Sequence, residues 1–315
     1  MIEKKIYQNI EVEGEDIGFT KAKKGSKFCN EGKWENYIKP HLPEDCSDMT
    51  FTELGANAGL FLKLAKDHGF RNVVGYDKSK RTVKQGLKFR DECGYDYTLI
   101  NERIDKDFDV DKLPASDYVL MSNFHYYLEV ADFIKIIERL RFKTRHVIIV
   151  TADVEDKWMR AKSYIEDIRY YFREWKEVGY CRPLKIKGDS FPRIMESIVF
   201  KSPLERRPVD DLYKMLRMSQ KANVEDFAKK LIENDIIENI KDTNYYNELR
   251  KLRKFRKEKN LLKHIDLRLK NLKDMKKNGV IEPIVIYDNN KIADGNHRFM
   301  FLKQSGYESV IVRII

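Results

Sequence analysis

The run Phe51-Thr-Glu-Leu-Gly-Ala-Asn-Ala-Gly59 decides how the first part of this chain folds. Met49 to Leu54 reads as the end of a buried strand. The glycines at 55 and 59 break it into a loop, and Leu60 to His68 then reads as a helix. Glycine at a strand-to-helix turn lets the backbone bend sharply and leaves no Cβ between chain and ligand. The helix start is expected to offer free N–H groups to a carboxylate or phosphate. Further on, Asn72-Val-Val-Gly-Tyr-Asp77 is a second apolar strand ending in an acid. A carboxylate there is placed to accept both hydroxyls of a ribose, as the acid of dinucleotide sites does. Glycines beside one acid also suit an ordinary loop, and taken alone the motif leaves that alternative open.

The alternation continues outward. Glu35 to His41 reads as a short helix leading, through Pro43, into the first strand. After Asp77 come a helix over Lys80 to Cys93 and strands over Tyr97 to Ile100 and Asp117 to Ser122. A helix over Val130 to Phe142 and a strand over His146 to Thr151 follow. Strands alternating with helices of this length predict a parallel, doubly wound α/β sheet. Lys157 to Trp175 reads as a helix, and two strands, Val178 to Lys187 and Arg193 to Phe200, flank the turn signal Lys187-Gly-Asp-Ser190. Lys201-Ser-Pro203 reads as a domain boundary. Residues 1–30 are mixed and polar, with Gly14, Gly18 and Gly25, and the sequence assigns them no work.

Three segments taken in order, Glu53 to Gly59, Gly75-Tyr-Asp77 and Asp117-Tyr-Val-Leu-Met-Ser-Asn-Phe-His-Tyr-Tyr-Leu128, resemble the class I S-adenosylmethionine (SAM) methyltransferases. Trp34 to Pro43 is similar to the branch that includes tRNA wobble-uridine modification enzymes, and the resemblance spans residues 30–201. It implies a Rossmann-like seven-stranded sheet with SAM as cofactor. It also implies that Gly55, Ala56, Asn57 and Gly59 lie against the cofactor, with Glu53 facing the methionine ammonium. Asp77 would take the ribose hydroxyls, Glu102 the adenine amino group, and Asn123 would stand beside the cofactor at the next strand end. The family's first motif usually has Asp and Gly-x-Gly; Glu53 and Gly55-Ala-Asn-Ala-Gly59 stand here instead, which leaves the ammonium contact open.

Ser122-Asn-Phe-His-Tyr-Tyr127 follows the fourth strand, without the Asn-Pro-Pro-Tyr tetrad that polarises an exocyclic amine. The catalytic candidates are His125, whose ordinary pKa suits a general base, and Tyr126, which with Tyr127 could stack on a base or sugar. The alternatives are a histidine packed on a helix start and tyrosines that close the core. Methyl transfer needs mainly alignment of donor and acceptor, so a missing base does not exclude activity.

The chain has 315 residues, 42% of them hydrophobic, enough for two domains with their own cores. No apolar run is long enough for a membrane span, Met1-Ile-Glu-Lys-Lys lacks the apolar core of a secretory signal, and a cytoplasmic protein is expected. Cys29, Cys46, Cys93 and Cys181 show no metal-ligand spacing, so reduced thiols and no metal site are expected. The formal charge is +10. Arg250 to Lys277 carries 13 Lys or Arg against Glu258, Asp266 and Asp274, so the basicity belongs to that segment. Its apolar positions leave a basic face in water, either a solvated helix or a surface for RNA, DNA or another polyanion.

From Leu204 the texture changes: residues 211–276 are almost continuously helical in pattern and contain no glycine. The segment from Asn271 to Ile286, followed by Ile292-Ala-Asp-Gly-Asn-His-Arg298, resembles the ParB/sulfiredoxin-type fold. That resemblance implies a small α+β domain over 261–315, after a helical connector or insertion over 204–260, with Arg207 to Leu212 as its displaced first strand. It implies a nucleotide or phosphate site at Asp294, Gly295, Asn296, His297 and Arg298, with ATP, ADP or CTP and Mg²⁺ as ligands. Sulfiredoxins place their cysteine where Asn296 stands, so thiol chemistry is not expected. Asp294 and Glu282 are the nearby acids that could act on a hydroxyl or hold Mg²⁺, and Asp294 could equally cap a helix.

The expectation is a SAM-dependent methyltransferase, residues 1–203, acting on a phosphate-bearing acceptor: a nucleotide, nucleic acid or phosphorylated metabolite. Two further classes stay open, a bifunctional methyltransferase and small-molecule kinase, and a nucleic-acid-binding regulator that only senses SAM.

Overall fold

The structure, a computed structural model, describes residues 8, 10–12, 15–16, 30–105, 107–152, 164–182, 195–216, 225, 228–229, 232, 241, 243–251, 257–278, 280 and 282–315. It divides into two compact units, Met1–Pro203 and Leu204–Ile315.

The first unit opens with a two-stranded antiparallel ribbon, β1 (Glu11–Val12) and β2 (Glu15–Asp16). Helix α1 (Asn30–Lys33) runs into a π-helical turn over Trp34–Ile38 and a 3₁₀ turn over Lys39–His41. The expected helix at Glu35 is thus tightened and loosened turn by turn. Pro40, which has no N–H to give, stands at the start of the last turn. Next come β3 (Thr50–Leu54), α2 (Leu60–Asp67), β4 (Asn72–Asp77), α3 (Lys80–Glu92), β5 (Thr98–Asn101) and β6 (Ser116–Ser122). A 3₁₀ turn over His125–Tyr127, α4 (Val130–Leu140), β7 (Thr144–Ala152), α5 (Ile165–Tyr171), β8 (Lys176–Cys181) and β9 (Met195–Lys201) complete it. Trp175 lies outside α5, and the expected helix start at Lys157 and turn at Lys187 lie outside the described residues.

The strands form one seven-stranded sheet in the order β5-β4-β3-β6-β7-β9-β8. Neighbours from β5 to β7 are parallel, and β9 runs antiparallel to both β7 and β8. This is a Rossmann-like α/β sheet. Its central strands are buried on both faces, which is why β3 and β6 read as near-continuous apolar runs. On one face Leu54, Met121 and Ile149 pack against Phe133, Ile136, Ile137 and Leu140 of α4, spaced to line one helical stripe. On the other, Phe51, Leu120 and Ile148 pack against Trp34, Tyr37, Phe61 and Leu62. The chain reverses direction across the sheet between β3 and β6, each of which starts a separate half. In such sheets the crevice at the strands' carboxyl ends at this point is where ligands bind.

In the second unit β10 (Glu205–Pro208) is followed by α6 (Val209–Lys214), α7 (Asn244–Arg250) and α8 (Glu258–Asn278). Then come β11 (Ile284–Ile286), β12 (Ile292–Asp294), α9 (Asn296–Gln304) and β13 (Ser309–Ile314). The four-stranded order is β10-β13-β11-β12, with β11 and β13 parallel and the outer pairs antiparallel. The first strand therefore begins earlier than expected, and Val209–Leu212 is helical. An edge strand reading Glu-Arg-Arg-Pro has no apolar alternation to betray it. Its Arg206 instead reaches the Ser309 hydroxyl at 2.9 Å. In α8 Leu261, Ile265, Leu272 and Met275 are buried, while Lys259, Lys263, Lys270, Lys273 and Lys276 are exposed.

Candidate functional site

At the crevice, β3 delivers Glu53 and then turns into the glycine loop. Gly55 and Gly59 are left-handed at φ 82° and 85°, and Asn57 between them takes φ 52°. A Cβ on Gly55 would stand 2.7 Å from Cδ2 of Phe124, so only glycine lets that ring close on the loop. Phe124 comes from the segment after β6. The two strand ends on either side of the switch point therefore touch.

Six consecutive loop N–H groups are used within the protein. Gly55 and Ala56 both donate to the Tyr76 carbonyl at 2.9 Å, and Gly59 donates to Ala56 O at 2.8 Å. Asn57 donates to Asp77 Oδ2 at 2.8 Å. Ala58 and Leu60 both donate to Oε1 of Gln8, at 3.1 and 3.0 Å, and Ala58 shares its proton with its neighbour's Asn57 Oδ1. The expectation of free donors at the helix start is corrected at Leu60, whose N–H is already taken. Gln8, 4% exposed, and Ile10, packed on Ala58, Leu60 and Phe89, bring the N-terminal segment onto the loop.

The buried side-chain atoms left without partners at this crevice, Glu53 Oε2 and Asn123 Oδ1, are oxygens that can accept. Glu53 is 1% exposed, and its Oε2 has no hydrogen-bond partner. Burial, reinforced by the nearby Asp77 charge, pushes its carboxyl well above the usual range. Asp77 ends β4 and holds the backbone on both sides, accepting from Asn57 N at one oxygen and from Ser79 N at the other, each at 2.8 Å. Its carbonyl accepts from the Asn101 side chain and from Glu102 N, both at 3.0 Å, which fixes Glu102 just past β5. Asn123 follows β6 with φ 52°, its N–H on Val150 O at 2.9 Å and its buried Oδ1 without a partner.

Glu53, Gly55, Ala56, Asn57, Gly59, Asp77, Glu102 and Asn123 all stand at the carboxyl ends of β3, β4, β5 and β6. His125 and Tyr126 are placed differently. His125 is fully buried, its ring 5.2 Å from Tyr126 and 5.7 Å from Phe133, and Tyr126 is buried beside it. A ring so enclosed has no path to an acceptor's proton, and the packed-histidine alternative fits it. Tyr127 is the most exposed residue of this segment, at 51%, with Lys78 Nζ 5.6 Å from its ring centroid.

In the second unit Gly295, left-handed at φ 98°, opens α9 without a capping side chain. A Cβ on it would stand 3.0 Å from two nitrogens of Arg298, whose guanidinium folds back to pair with Asp294 at 2.8 Å. Tyr245 of α7 places its hydroxyl 2.7 Å from His297 Nε2. Burial, with the Arg268 and His264 charges of α8, holds His297 down to about 4, and burial raises Tyr245 to about 12. Arg268 Nε and Asn296 Oδ1 are buried without partners. Among the described residues no three His, Cys, Asp or Glu side chains gather as metal ligands, so Asp294 and Glu282 form no such group.

Gln8 and Tyr245 were not legible as site residues: each lies some fifty positions from its partner, in a segment with no motif.

No family model matches the chain, and no curated protein does. Solved structures share its topology distantly. The PH0226 protein of Pyrococcus horikoshii OT3 is 13% identical, with a TM-score of 0.43 over 55% of this chain and 90% of that one. A putative SAM-dependent methyltransferase from Listeria monocytogenes is 16% identical, with a TM-score of 0.42 over 55% and 98%. The N-methyltransferase NodS of Bradyrhizobium japonicum WM9, in complex with S-adenosyl-L-homocysteine, is 19% identical, with a TM-score of 0.39 over 49% and 78%. None of these similarities is close enough to decide the chemistry of the site.

Proposed function

We propose that the first unit is a SAM-dependent methyltransferase. The observation that carries this reading is Glu53, a buried carboxyl with an unpartnered oxygen beneath a glycine loop that keeps six of its N–H groups for itself. Such a site suits a ligand that brings donors and positive charge. SAM fits: it carries an ammonium, a sulfonium and two ribose hydroxyls, and no phosphate.

Glu53 would hold the ammonium, its ionised form restored by the incoming charge. Gly55, Ala56, Asn57 and Gly59 would line the amino-acid and ribose ends, where Gly55 lets the Phe124 ring close on the loop. Asp77 would accept from the ribose hydroxyls and Glu102 from the adenine amino group. When bound, SAM supplies an electrophilic methyl group that an acceptor's lone pair displaces from sulfur. The chain's own contribution is alignment, with the Asn123 to Tyr127 segment bordering the acceptor's approach. With His125 enclosed, Tyr127 and Lys78 are the groups of that border that can touch an acceptor.

The second unit supports an anion site at Asp294, Gly295, Asn296, His297 and Arg298, favoured by the guanidinium groups of Arg268 and Arg298 near the uncapped start of α9. On this reading the acceptor bears phosphate, as a nucleotide, nucleic acid or phosphorylated metabolite, and the exposed lysines of α8 would add attraction for a nucleic acid. A kinase role for this unit, with ATP, ADP or CTP and Mg²⁺, would route through Asp294.

Calorimetry with SAM on wild type and Asp77→Ala tests the cofactor reading: binding in the first and its loss in the second are expected. Methylation of a neutral acceptor, unaffected by Arg298→Ala, would overturn the phosphate-bearing acceptor.

A further inference from the structure

The N-terminal segment, which the sequence leaves without a role, contributes one side chain to the loop. Gln8 lies against the start of α2, where its Oε1 takes the N–H of both Ala58 and Leu60. Those are the kind of groups that bind a phosphate at a glycine-loop helix start, where the N–H donors and the helix dipole act together. The other four loop donors are held by Tyr76 O, Ala56 O and Asp77 Oδ2. Ala58 N–H is shared with Asn57 Oδ1 at 3.0 Å, and of the seven acceptor contacts the two from Gln8 alone come from a residue outside the β3–β4 region, 50 and 52 positions away.

We propose that Gln8 is a specificity-determining residue: by occupying the Ala58 and Leu60 N–H groups it denies the loop to phosphate and confines the site to a phosphate-free, cationic cofactor. The proposal rests on the methyltransferase reading for the cofactor's identity, but not for the exclusion itself. A neutral amide suits the task. It satisfies two donors without adding a third carboxylate beside Glu53 and Asp77, which already repel one another. Its burial, and that of Ile10 beside it, keeps water from competing for the same donors.

The test uses the full chain as wild type, Gln8→Ala and Gln8→Glu. S-adenosylhomocysteine affinity is measured in chloride and in inorganic phosphate at equal ionic strength, while amide resonances of Ala58 and Leu60 are followed during phosphate titration without cofactor. In Gln8→Ala, phosphate is expected to weaken S-adenosylhomocysteine binding by roughly three- to tenfold and to move both resonances. Wild type and Gln8→Glu, which keep an oxygen on the two donors, are expected to show neither effect. A Gln8→Ala protein with unchanged melting temperature whose affinity and resonances ignore phosphate would overturn the proposal. So would a wild type whose Ala58 and Leu60 resonances respond to phosphate. If wild type binds no S-adenosylhomocysteine yet phosphate moves the two resonances in Gln8→Ala alone, the methyltransferase reading falls and the role of Gln8 stands.

Discussion

Gly86, in the middle of α3, lies directly against Ala58 of the glycine loop: a Cβ on Gly86 would stand 2.3 Å from the Ala58 carbonyl oxygen. The helix is thus a floor for the loop, and the loop's height above the sheet depends on the missing side chain. An alanine in a helix interior is ordinarily better than glycine by about 1 kcal/mol. Here the obstructing atom is backbone and cannot swing away. Gly86→Ala is therefore expected to destabilise the protein by about 1–3 kcal/mol, read from urea unfolding of the full chain, and to weaken SAM binding. A more stable variant would show that the loop yields freely.

Glu53 predicts a trade between stability and binding. Its folded pKa is raised above the ordinary 4.5, so folding favours the protonated form. The sign follows: below about pH 4.5 the group costs nothing, and the cofactor-free protein loses stability as pH rises from there toward the folded value. Glu53→Gln removes that loss. Its melting temperature without ligand should exceed that of wild type by a margin that grows as pH rises above about 4.5. The same variant should bind SAM at least about tenfold more weakly, the loss of one charge-assisted contact.

Asp77 predicts a graded pair. Its two oxygens hold Asn57 N and Ser79 N, so Asp77→Ala removes both backbone anchors along with the ribose acceptor. SAM binding should fall by about a hundredfold or more, the cost of two hydrogen bonds to a charged group. Asp77→Asn keeps one acceptor oxygen and should lose less. Equal losses in the two variants would assign Asp77 to charge alone.

His297 predicts acid sensitivity in the second unit. Its folded pKa of about 4 lies below the ordinary 6.5, so its contribution is fully present above about pH 6.5 and is lost as pH falls toward 4. The groups that set it are its own burial, the Arg268 and His264 charges of α8 and, opposing them, Asp294. His297→Gln should flatten the pH dependence of that unit's unfolding over this window, a change of a few kcal/mol at most. His146 in the first unit is likewise held at about 4, so tryptophan fluorescence, whose three sources, Trp34, Trp158 and Trp175, all fall within residues 1–203, should keep its own acid transition in the variant.

The sheet was legible because its strands are short, apolar and separated by helices of regular period: Thr50–Leu54, Asn72–Asp77 and Ser116–Ser122 all lie within a residue or two of where the pattern puts them. Glycine positions 55 and 59 announced the loop for the same local reason. What stayed hidden is long-range or disguised. Gln8 caps a helix fifty positions away, and Tyr245 reaches His297 across a comparable gap. The strand Glu205–Pro208 is charged at an edge, where no apolar alternation is required. His125 stands beside the crevice in sequence, but Phe133 and Tyr126 close over its ring, and no local pattern shows which way a side chain turns after a strand.

Calorimetric titration of SAM into the wild-type chain, in two buffers of different ionisation enthalpy near neutral pH, tests the central claim most directly. If Glu53 is protonated without cofactor and ionised against its ammonium, binding releases a proton, the observed heat differs between the buffers, and Glu53→Gln abolishes the difference. SAM binding with no proton release, or a site that takes a phosphate-bearing dinucleotide in place of SAM, would contradict it.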